Sequence, residues 1–239
     1  MLENFAPRFL AFAGFALTGA SLCLLTAKAQ EQISAPENLP QFSHSTVITN
    51  PYLPLSSLHQ DIIEGKEEGH AIRVERTKKA GTKTFAVWGQ NVAAMIVEDR
   101  EYRDKKLFEV TLDYFAQDDN GVVYYMGEDV NNYRNGKVVG HEGAWLSGAG
   151  GILPGVLVPA HPKIGDRFKS ENVPPVTLEA DEVVSLTAAV KTPAGSYKNC
   201  LKIKETTPEG EVEYKYYAPK VGVVMEAPKN GDLRLKSHR

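Results

Sequence analysis

Carboxylates that could do chemistry are concentrated around one predicted β-hairpin. Asp113 lies on a strand where it should share the polar face with Glu109, and Glu128 lies on the returning strand. If that face is concave, burial would raise the pKa values of these carboxyl groups and suit them to acid–base chemistry. His141 follows on the next predicted strand and could reach Asp113 or Glu128 across the sheet. Its neighbour Glu142 should point to the opposite face, so those two cannot easily act together.

Asp118 and Asn120 are the only candidates for a metal site. Together with Gly121 they resemble part of a calcium-binding loop, but the distal bidentate glutamate of a complete loop is not evident. Asp, Asn and Gly also favour tight turns, and we prefer that interpretation. The sequence contains no H-x-H, H-E-x-x-H or C-x-x-C spacing, no phosphate loop and no nucleophile elbow. We therefore predict no metal and no cofactor, and we favour a binding protein over an enzyme.

The amino terminus has the features of a secretory signal peptide. An uncharged apolar run from Phe9 to Thr26 ends at Ala27-Lys28-Ala29, which is a small-x-small cleavage site, so residues 1–29 would be removed. The alternative is an uncleaved anchor, because a run of about 18 residues can just span a bilayer. Leu22 stands before Cys23 where a lipoprotein needs a small residue, which argues against lipidation. We expect a location in the periplasm or outside the cell, with no stable membrane span after cleavage.

The composition of the mature chain excludes some classes of function. Cleavage after Ala29 would leave 25 basic and 29 acidic residues, a net charge of −4, which argues against a nucleic-acid-binding protein. Cys200 would be the only cysteine left, so the exported chain could form no internal disulfide. Its stability must then come from burial and strand pairing, and about 210 residues are enough for a proper core.

The remainder of the sequence predicts an all-β, mainly antiparallel fold. Residues 30–44 are polar and are predicted to be a flexible leader, followed by a single β-rich domain over residues 45–239. Asn120-Gly121 and Asn135-Gly136 mark two hairpins between apolar runs. Residues 148–162 are rich in Gly and Pro, too irregular for a regular strand and too apolar for a linker. We predict an ordered loop there that covers the domain.

Several aromatic and aliphatic side chains could line a ligand cavity, since small-molecule pockets are mostly apolar. The Asn50–Leu55 segment, whose prolines favour an extended conformation, should pack Tyr52 and Leu55 against the domain as a plug or lid. Plain core packing is the alternative for most of these side chains. The candidates are Tyr52, Trp88, Phe115, Tyr125, Trp145, Leu153 and Leu157.

Three patterns in the sequence resemble an exported bacterial family whose activity is unassigned. They are N-P-Y-x-P-L at 50–55, Y-x-A-Q-D-x-x-G-x-V-x-Y-x-G-E at 114–128 and P-G-…-P-A-x-P-x-x-G-D at 154–166. The segments 192–197 and 216–222 are similar to the end of periplasmic proteins of the LolA-like and TapB-like kind. That resemblance implies a strongly curved antiparallel sheet, an incomplete barrel whose concave face can hold an apolar ligand. Lys220 stands where the family usually has Gly, so the final turn is expected to differ.

Three functions follow as hypotheses. The first is an exported protein that binds an apolar or amphipathic small molecule or a lipid in the cavity of a curved sheet. The second is a hydrolase or isomerase that uses Asp113, Glu128 and His141. The third is an envelope interaction module without chemistry, which an exposed apolar patch would favour. The sequence leaves the ligand and the oligomeric state open.

Overall fold

The computed structural model describes residues 39–173, 177–207 and 210–239. The predicted signal peptide and most of the predicted leader lie outside these residues. The described chain is built from strands, with 3-10 turns at Leu55–Ser57 and Ala149–Gly151. The strands are β1 (Gln60–Glu67), β2 (His70–Val87), β3 (Gln90–Arg103), β4 (Lys106–Gln117), β5 (Val123–Arg134), β6 (Lys137–Gly140), β7 (Trp145–Leu146), β8 (Gly155–Val158), β9 (Arg167–Phe168), β10 (Asn172–Val173), β11 (Thr177–Leu178), β12 (Ala180–Thr192), β13 (Gly195–Thr206), β14 (Val212–Ala218), β15 (Gly222–Ala227) and β16 (Gly231–His238).

Fourteen of the strands form one antiparallel sheet that is not closed into a barrel. Its order is β6-β5-β4-β3-β2-β1-β16-β15-β14-β13-β12-β9, with β7 and β8 also paired to β5, while β10 and β11 form a separate pair. The pairing of β1 with β16 joins an amino-terminal run of hairpins to a carboxy-terminal run. The prediction of an all-β, antiparallel, incompletely closed fold is confirmed.

Both predicted hairpins are present. The chain turns at Asp118–Gly121 between β4 and β5, and at Asn135-Gly136 between β5 and β6. Asn135 and Gly136 have φ values of 52° and 73°. Positive φ at both central residues is what a two-residue turn needs to match the twist of its strands, which explains the Asn-Gly pair.

The predicted loop at 148–162 contains a strand, so that part of the prediction is wrong. Gly155–Val158 forms β8 and pairs with Val123–Tyr125 of β5. Gly155 also lies against the backbone of Ser170, where a Cβ would come within 1.7 Å of the carbonyl oxygen. Four residues between two prolines are too few to show strand periodicity, which is why the pattern missed β8.

The boundary predicted between a flexible leader and the domain at residue 45 is also wrong. Phe42 stacks on Trp88 with ring centroids 6.0 Å apart and meets Tyr124 edge-on at 5.6 Å. Ser43 bonds the Asp119 carboxylate through both its backbone N–H and its hydroxyl, each at 2.8 Å. Residues 39–44 therefore belong to the packed domain.

The Asn50–Leu55 segment packs against the domain as predicted. Leu53 and Leu55 are buried and Tyr52 is half-buried against the same core. The Asn50 amide donates to the carbonyl oxygens of Gly121 (2.9 Å) and Pro159 (3.1 Å), and its own oxygen accepts the Tyr52 N–H at 2.9 Å. Asn50 therefore joins this segment to the β4–β5 turn and to the end of β8.

Two apolar clusters lie on opposite faces of the amino-terminal strands. The larger one is on the inner face and receives residues from both halves of the sheet, among them Val97, Ile203 and Leu235. The smaller one is on the outer face, where the far ends of β2 and β3 bring Phe85 and Val92 against Tyr114. Because the apolar residues occupy both faces, each of these strands is buried on both sides over part of its length.

Replacing Asn50 by Ala should lower the free energy of unfolding by about 2–3 kcal/mol. The substitution leaves two carbonyl groups and one N–H without their partner in a buried place. Urea denaturation of the mature chain measures the effect. The matched control is Thr49→Ala at the adjacent exposed position, which should change stability by less than about 0.5 kcal/mol. Equal effects of the two substitutions would show that the Asn50 bonds do not stabilise the segment.

Candidate functional site

The polar face of β4 is turned into the protein. Glu109, Thr111 and Asp113 alternate along the strand as predicted, and all three are buried. Phe115 continues the same face towards the apolar core. A buried row of ionisable side chains is uncommon, because moving a carboxylate out of water costs several kcal/mol unless it is paired or neutral. This row is therefore the starting point of the candidate site.

Asp113 and Glu128 form the centre of the site. They lie directly opposite each other across β4 and β5, and both are fully buried. The Tyr125 hydroxyl donates to Asp113 Oδ1 at 2.6 Å. That hydroxyl donates its one proton to Asp113, and Tyr125 acts on Glu128 only as a more distant polar neighbour that lowers the pKa of that carboxyl group. Within the described part of the chain, Asp113 Oδ2 and both Glu128 oxygens have no hydrogen-bond partner.

The surroundings favour the protonated forms of both groups. Burial raises the pKa of Asp113 well above its ordinary value, and the nearby Asp99 charge raises it further. Burial likewise raises the pKa of Glu128, and the Asp113 charge adds to the effect. Two carboxyl groups this close titrate as a pair, and the first proton is held more tightly than either group alone would hold it. Both effects act in the same direction, so the fold favours the neutral, protonated form of each group.

Arg76 is the nearest buried cation on this side of the sheet. Its guanidinium donates from Nη2 to Asp99 Oδ2 at 3.0 Å and from Nε to both Asp99 oxygens at 3.2 Å, and Nη2 lies 3.7 Å from Glu226 Oε1. Burial still raises the pKa of Asp99 to about 6, against the lowering effect of Arg76. One guanidinium therefore serves carboxylates from both halves of the sheet.

Lys215 is the second buried cation, with Nζ 2.7 Å from Glu205 Oε2. Acidic groups far outnumber these two cations inside the described structure. Twelve carboxyl groups are buried there, and burial raises the pKa of eight of them, which favours the protonated form. The twelve are Asp61, Asp99, Glu101, Glu109, Asp113, Asp118, Glu128, Glu171, Glu179, Asp181, Glu205 and Glu226.

His141 does not join Asp113 and Glu128, so the predicted three-residue acid–base set is not assembled. Its ring is exposed and Nδ1 lies 2.7 Å from the carbonyl oxygen of Val130. The strand β6 ends at Gly140, and His141 belongs to the turn that leads towards β7. The prediction failed because it extended the strand from Val138 to Trp145, whereas the chain leaves the sheet between them.

Four of the predicted cavity residues pack together on the inner face. Tyr125 stacks on Phe115 and meets Trp145 edge-on, with ring centroids 5.3 Å apart in both pairs. Leu157 of β8 is buried in the same cluster. A void bounded by Arg76, Phe115 and Leu157, among others, has a volume of about 10 Å³, which is room for one water molecule.

The other three candidates lie elsewhere. Tyr52 packs at the margin of the inner cluster, whereas Trp88 belongs to the outer cluster with Phe42 and Tyr124. Leu153 is 43% exposed. The seven residues therefore do not line a single cavity, because they are divided between the inner cluster, the outer cluster and the exposed surface.

Gly127 explains how Trp145 reaches the site. Its φ of 122° is a conformation that other residues rarely adopt, and a Cβ there would lie 2.3 Å from the Trp145 carbonyl oxygen. β7 can therefore pair closely with β5. The Trp145 indole N–H then donates to Glu171 Oε1 at 3.0 Å, which brings another buried carboxylate next to Glu128.

Asp118 and Asn120 form a turn. Asp118 Oδ1 accepts the backbone N–H groups of Asn120 (3.1 Å) and Val122 (2.8 Å). This use of an aspartate is an Asx-type turn, which supports the interpretation preferred from the sequence.

Sequence reasoning missed Arg76, Asp99 and the carboxylates around Lys215. The spacing of buried positions contained a signal. Arg76 lies on the same face of β2 as Ile72 and Val74, and Lys215 precedes the buried Tyr217 by two residues on β14. Such a face can be assigned to the inside only if its partner strands are known. The partners here lie far away in the sequence, as in the contact between Arg76 and Glu226.

We found no match to the chain among family models, curated proteins or solved structures. The resemblance to an exported bacterial family therefore stays a prediction. Within residues 39–173, 177–207 and 210–239, no helix has the length and apolar character needed to cross a membrane.

Glu109 should make the protein less stable as the pH rises. Burial and the neighbouring Glu101 charge raise its pKa to about 8, so the folded state holds a proton that the unfolded chain releases near pH 4.5. The stability that protonated Glu109 contributes to the folded state is fully present below pH 4.5 and is lost as the pH rises towards 8. Glu109→Gln should therefore stabilise the protein at pH 8 by on the order of 2 kcal/mol and have little effect at pH 5.

Urea denaturation at pH 5, 6.5 and 8 tests this expectation. The exposed Glu68→Gln variant is the control, and its stability should follow the wild type at all three pH values. If Glu109→Gln also follows the wild type, Glu109 is not held in its protonated form by the fold.

Proposed function

We propose that this is an exported binding protein that holds a small amphipathic molecule with a positively charged end inside its curved sheet. The observation that carries the proposal is the surplus of buried carboxyl groups over buried cations, centred on Asp113 and Glu128. Export is supported by the predicted signal peptide. The amphipathic ligand of the sequence hypothesis is kept, but the buried charges now specify the sign of its polar end.

A ligand cation would take the place of the protons that neutralise Asp113 and Glu128. Three of the four carboxyl oxygens in this pair have no hydrogen-bond partner among the described residues. An ammonium group between them would meet two full charges in a place that excludes water, where such interactions are much stronger than in bulk solvent. Protons and the ligand cation compete for the two carboxylates. Protons compete less strongly at high pH, so the affinity for the cation should increase as the pH rises.

The apolar part of the ligand would lie against the aromatic residues next to the carboxyl pair. Tyr125 connects the two parts, because its ring packs with Phe115 and Trp145 while its hydroxyl bonds Asp113. Aromatic faces attract cations as well as apolar groups, which suits an ammonium with attached methyl or methylene groups. The adjoining apolar and acidic surfaces match an amphipathic molecule.

Binding requires the cover of the site to open. The 10 Å³ void beside Leu157 and Phe115 is much smaller than any ligand of this class. The cover consists of the Asn50–Leu55 segment and the chain from Trp145 to Val158. β7 and β8 are short and pair only with β5, so their displacement leaves the rest of the sheet intact.

Decyltrimethylammonium should bind at least tenfold more tightly than decyl sulfate, which has the same chain and the opposite charge. The tenfold difference corresponds to about 1.4 kcal/mol. Its affinity should increase between pH 5 and pH 8 as the carboxyl pair gives up its protons. Glu128→Gln should weaken binding of the cation at least tenfold, and the exposed Glu142→Gln variant should bind like the wild type. Isothermal titration calorimetry below the micelle-forming concentration measures all of these affinities.

Two results would contradict the proposal. One is equal affinity for the cationic and the anionic probe, since that would show that the apolar surface alone decides binding. The other is unchanged affinity in Glu128→Gln, which would place the bound cation elsewhere.

Acid–base catalysis by the same pair is a second candidate, favoured by the raised pKa values of the two groups and by the Tyr125 hydroxyl next to them. It differs from the sequence hypothesis in lacking His141. Native mass spectrometry of protein purified from its own envelope distinguishes the two functions. A binding protein carries the same small molecule in the wild type after incubation, whereas an enzyme converts it and the Glu128→Gln variant retains it unchanged.

A further inference from the structure

A second group of carboxylates lies in the interior near the edge formed by β12 and β9, and the buried Glu171 interacts both with this group and with Glu128. Asp181 and Glu205 lie directly opposite each other on β12 and β13, and Glu179 precedes Asp181 by two residues. All three side chains are buried, and one oxygen from each lies within 4.8 Å of the others. The three groups therefore converge on a common point.

The outer oxygens of this group are held in place by their neighbours. The Ser170 backbone N–H donates to Asp181 Oδ2 at 2.7 Å, and its hydroxyl donates to Glu179 Oε2 at 3.1 Å. Lys215 Nζ lies 2.7 Å from Glu205 Oε2. Each carboxylate is thus fixed through one oxygen, as ligating carboxylates usually are by the groups behind them.

The other oxygens of Glu179 and Asp181 indicate that a ligand is missing from the group. Glu179 Oε1 and Asp181 Oδ1 are buried and have no hydrogen-bond partner among the residues that the structure describes. These groups are 0% and 2% exposed. A buried oxygen without a donor is costly, so the site is incomplete as it stands.

The charge of the group specifies the missing ligand. Three ionised carboxylates with the Lys215 ammonium leave a charge of −2, and the neighbouring Glu171 and Glu213 add to the negative potential, so a divalent cation is favoured over a monovalent one. All of the converging atoms are carboxylate oxygens, and no His or Cys belongs to the group. Oxygen-only ligand sets suit hard cations. Ca²⁺ takes six to eight such oxygen ligands at about 2.3–2.6 Å in flexible geometry.

We infer that Glu179, Asp181 and Glu205 bind one Ca²⁺, with Ser170 and Lys215 orienting the carboxylates. Waters and backbone carbonyl groups would complete the coordination, as they do in most calcium sites. The ion would join the two edges of the β12–β13 hairpin to the chain that enters it from Ser170. None of these three carboxylates belongs to the Asp113–Glu128 pair, and the inference does not depend on the proposed ligand, although Glu171 and Lys215 interact with both groups.

The test is calcium binding by the mature protein after treatment with a chelator. Elemental analysis should find one Ca²⁺ per chain after dialysis, and titration calorimetry should give the dissociation constant. Asp181→Asn and Glu205→Gln keep the side-chain shape and should weaken binding at least tenfold. Ser170→Ala leaves all three ligands in place and removes only the hydroxyl bond to Glu179, so it should weaken binding less than either ligand substitution does.

Glu128→Gln is the matched control, because it makes the same chemical change at the other buried carboxyl pair. It should bind Ca²⁺ like the wild type while losing the cationic amphiphile, so failure at one site is distinguishable from failure at the other. The inference is overturned if the chelated protein takes up no Ca²⁺, or if Asp181→Asn and Glu205→Gln bind it as the wild type does. Equal affinity for Mg²⁺ would overturn the assignment to calcium.

Discussion

The structure depends on how buried carboxyl groups are kept neutral or paired. Charged groups on the inner face of a sheet lose their hydration, and only a partner or a proton can compensate. Arg76 and Lys215 serve as the two internal cations. The contact of Arg76 with Glu226 also constrains the shape of the sheet, because β2 and β15 are three strand positions apart. In a flat sheet that spacing is about 14 Å, so the 3.7 Å contact limits the distance between β2 and β15 to the combined reach of the two side chains.

The same constraint explains what the sequence could predict. Local signals were sufficient for the hairpins, because Asn-Gly pairs specify turns whose geometry depends only on the adjacent strands. The alternation of Glu109, Thr111 and Asp113 placed these residues on one face. Assigning that face to the interior required knowledge of the strands opposite. A polar row is normally solvated, and here it is covered by Trp145 and by the carboxy-terminal half of the sheet.

The errors have physical reasons of the same kind. His141 was expected in the site because an uninterrupted strand from Val138 would have carried it there, but the chain leaves the sheet at Gly140. β8 escaped detection because its strand character comes from pairing with β5 and from close contact with Ser170. Lys220 illustrates the converse. It has a φ of 66°, the left-handed conformation that glycine adopts at the lowest cost, so the residue type alone does not reveal the backbone conformation of the final turn.

The two clusters of buried carboxylates differ in how their charge is neutralised, and this difference decides which cation each can bind. Asp113 and Glu128 have a tyrosine hydroxyl as their bonded neighbour, so a proton is the nearest available means of neutralising the pair. Glu205 has an ammonium in direct contact, and its two companions are fixed by Ser170. Binding of a ligand cation at Asp113 and Glu128 would release bound protons. The affinity of this site for a single positive charge would therefore depend on pH. The second site already contains its monovalent cation, and the charge that is left over is that of a divalent ion.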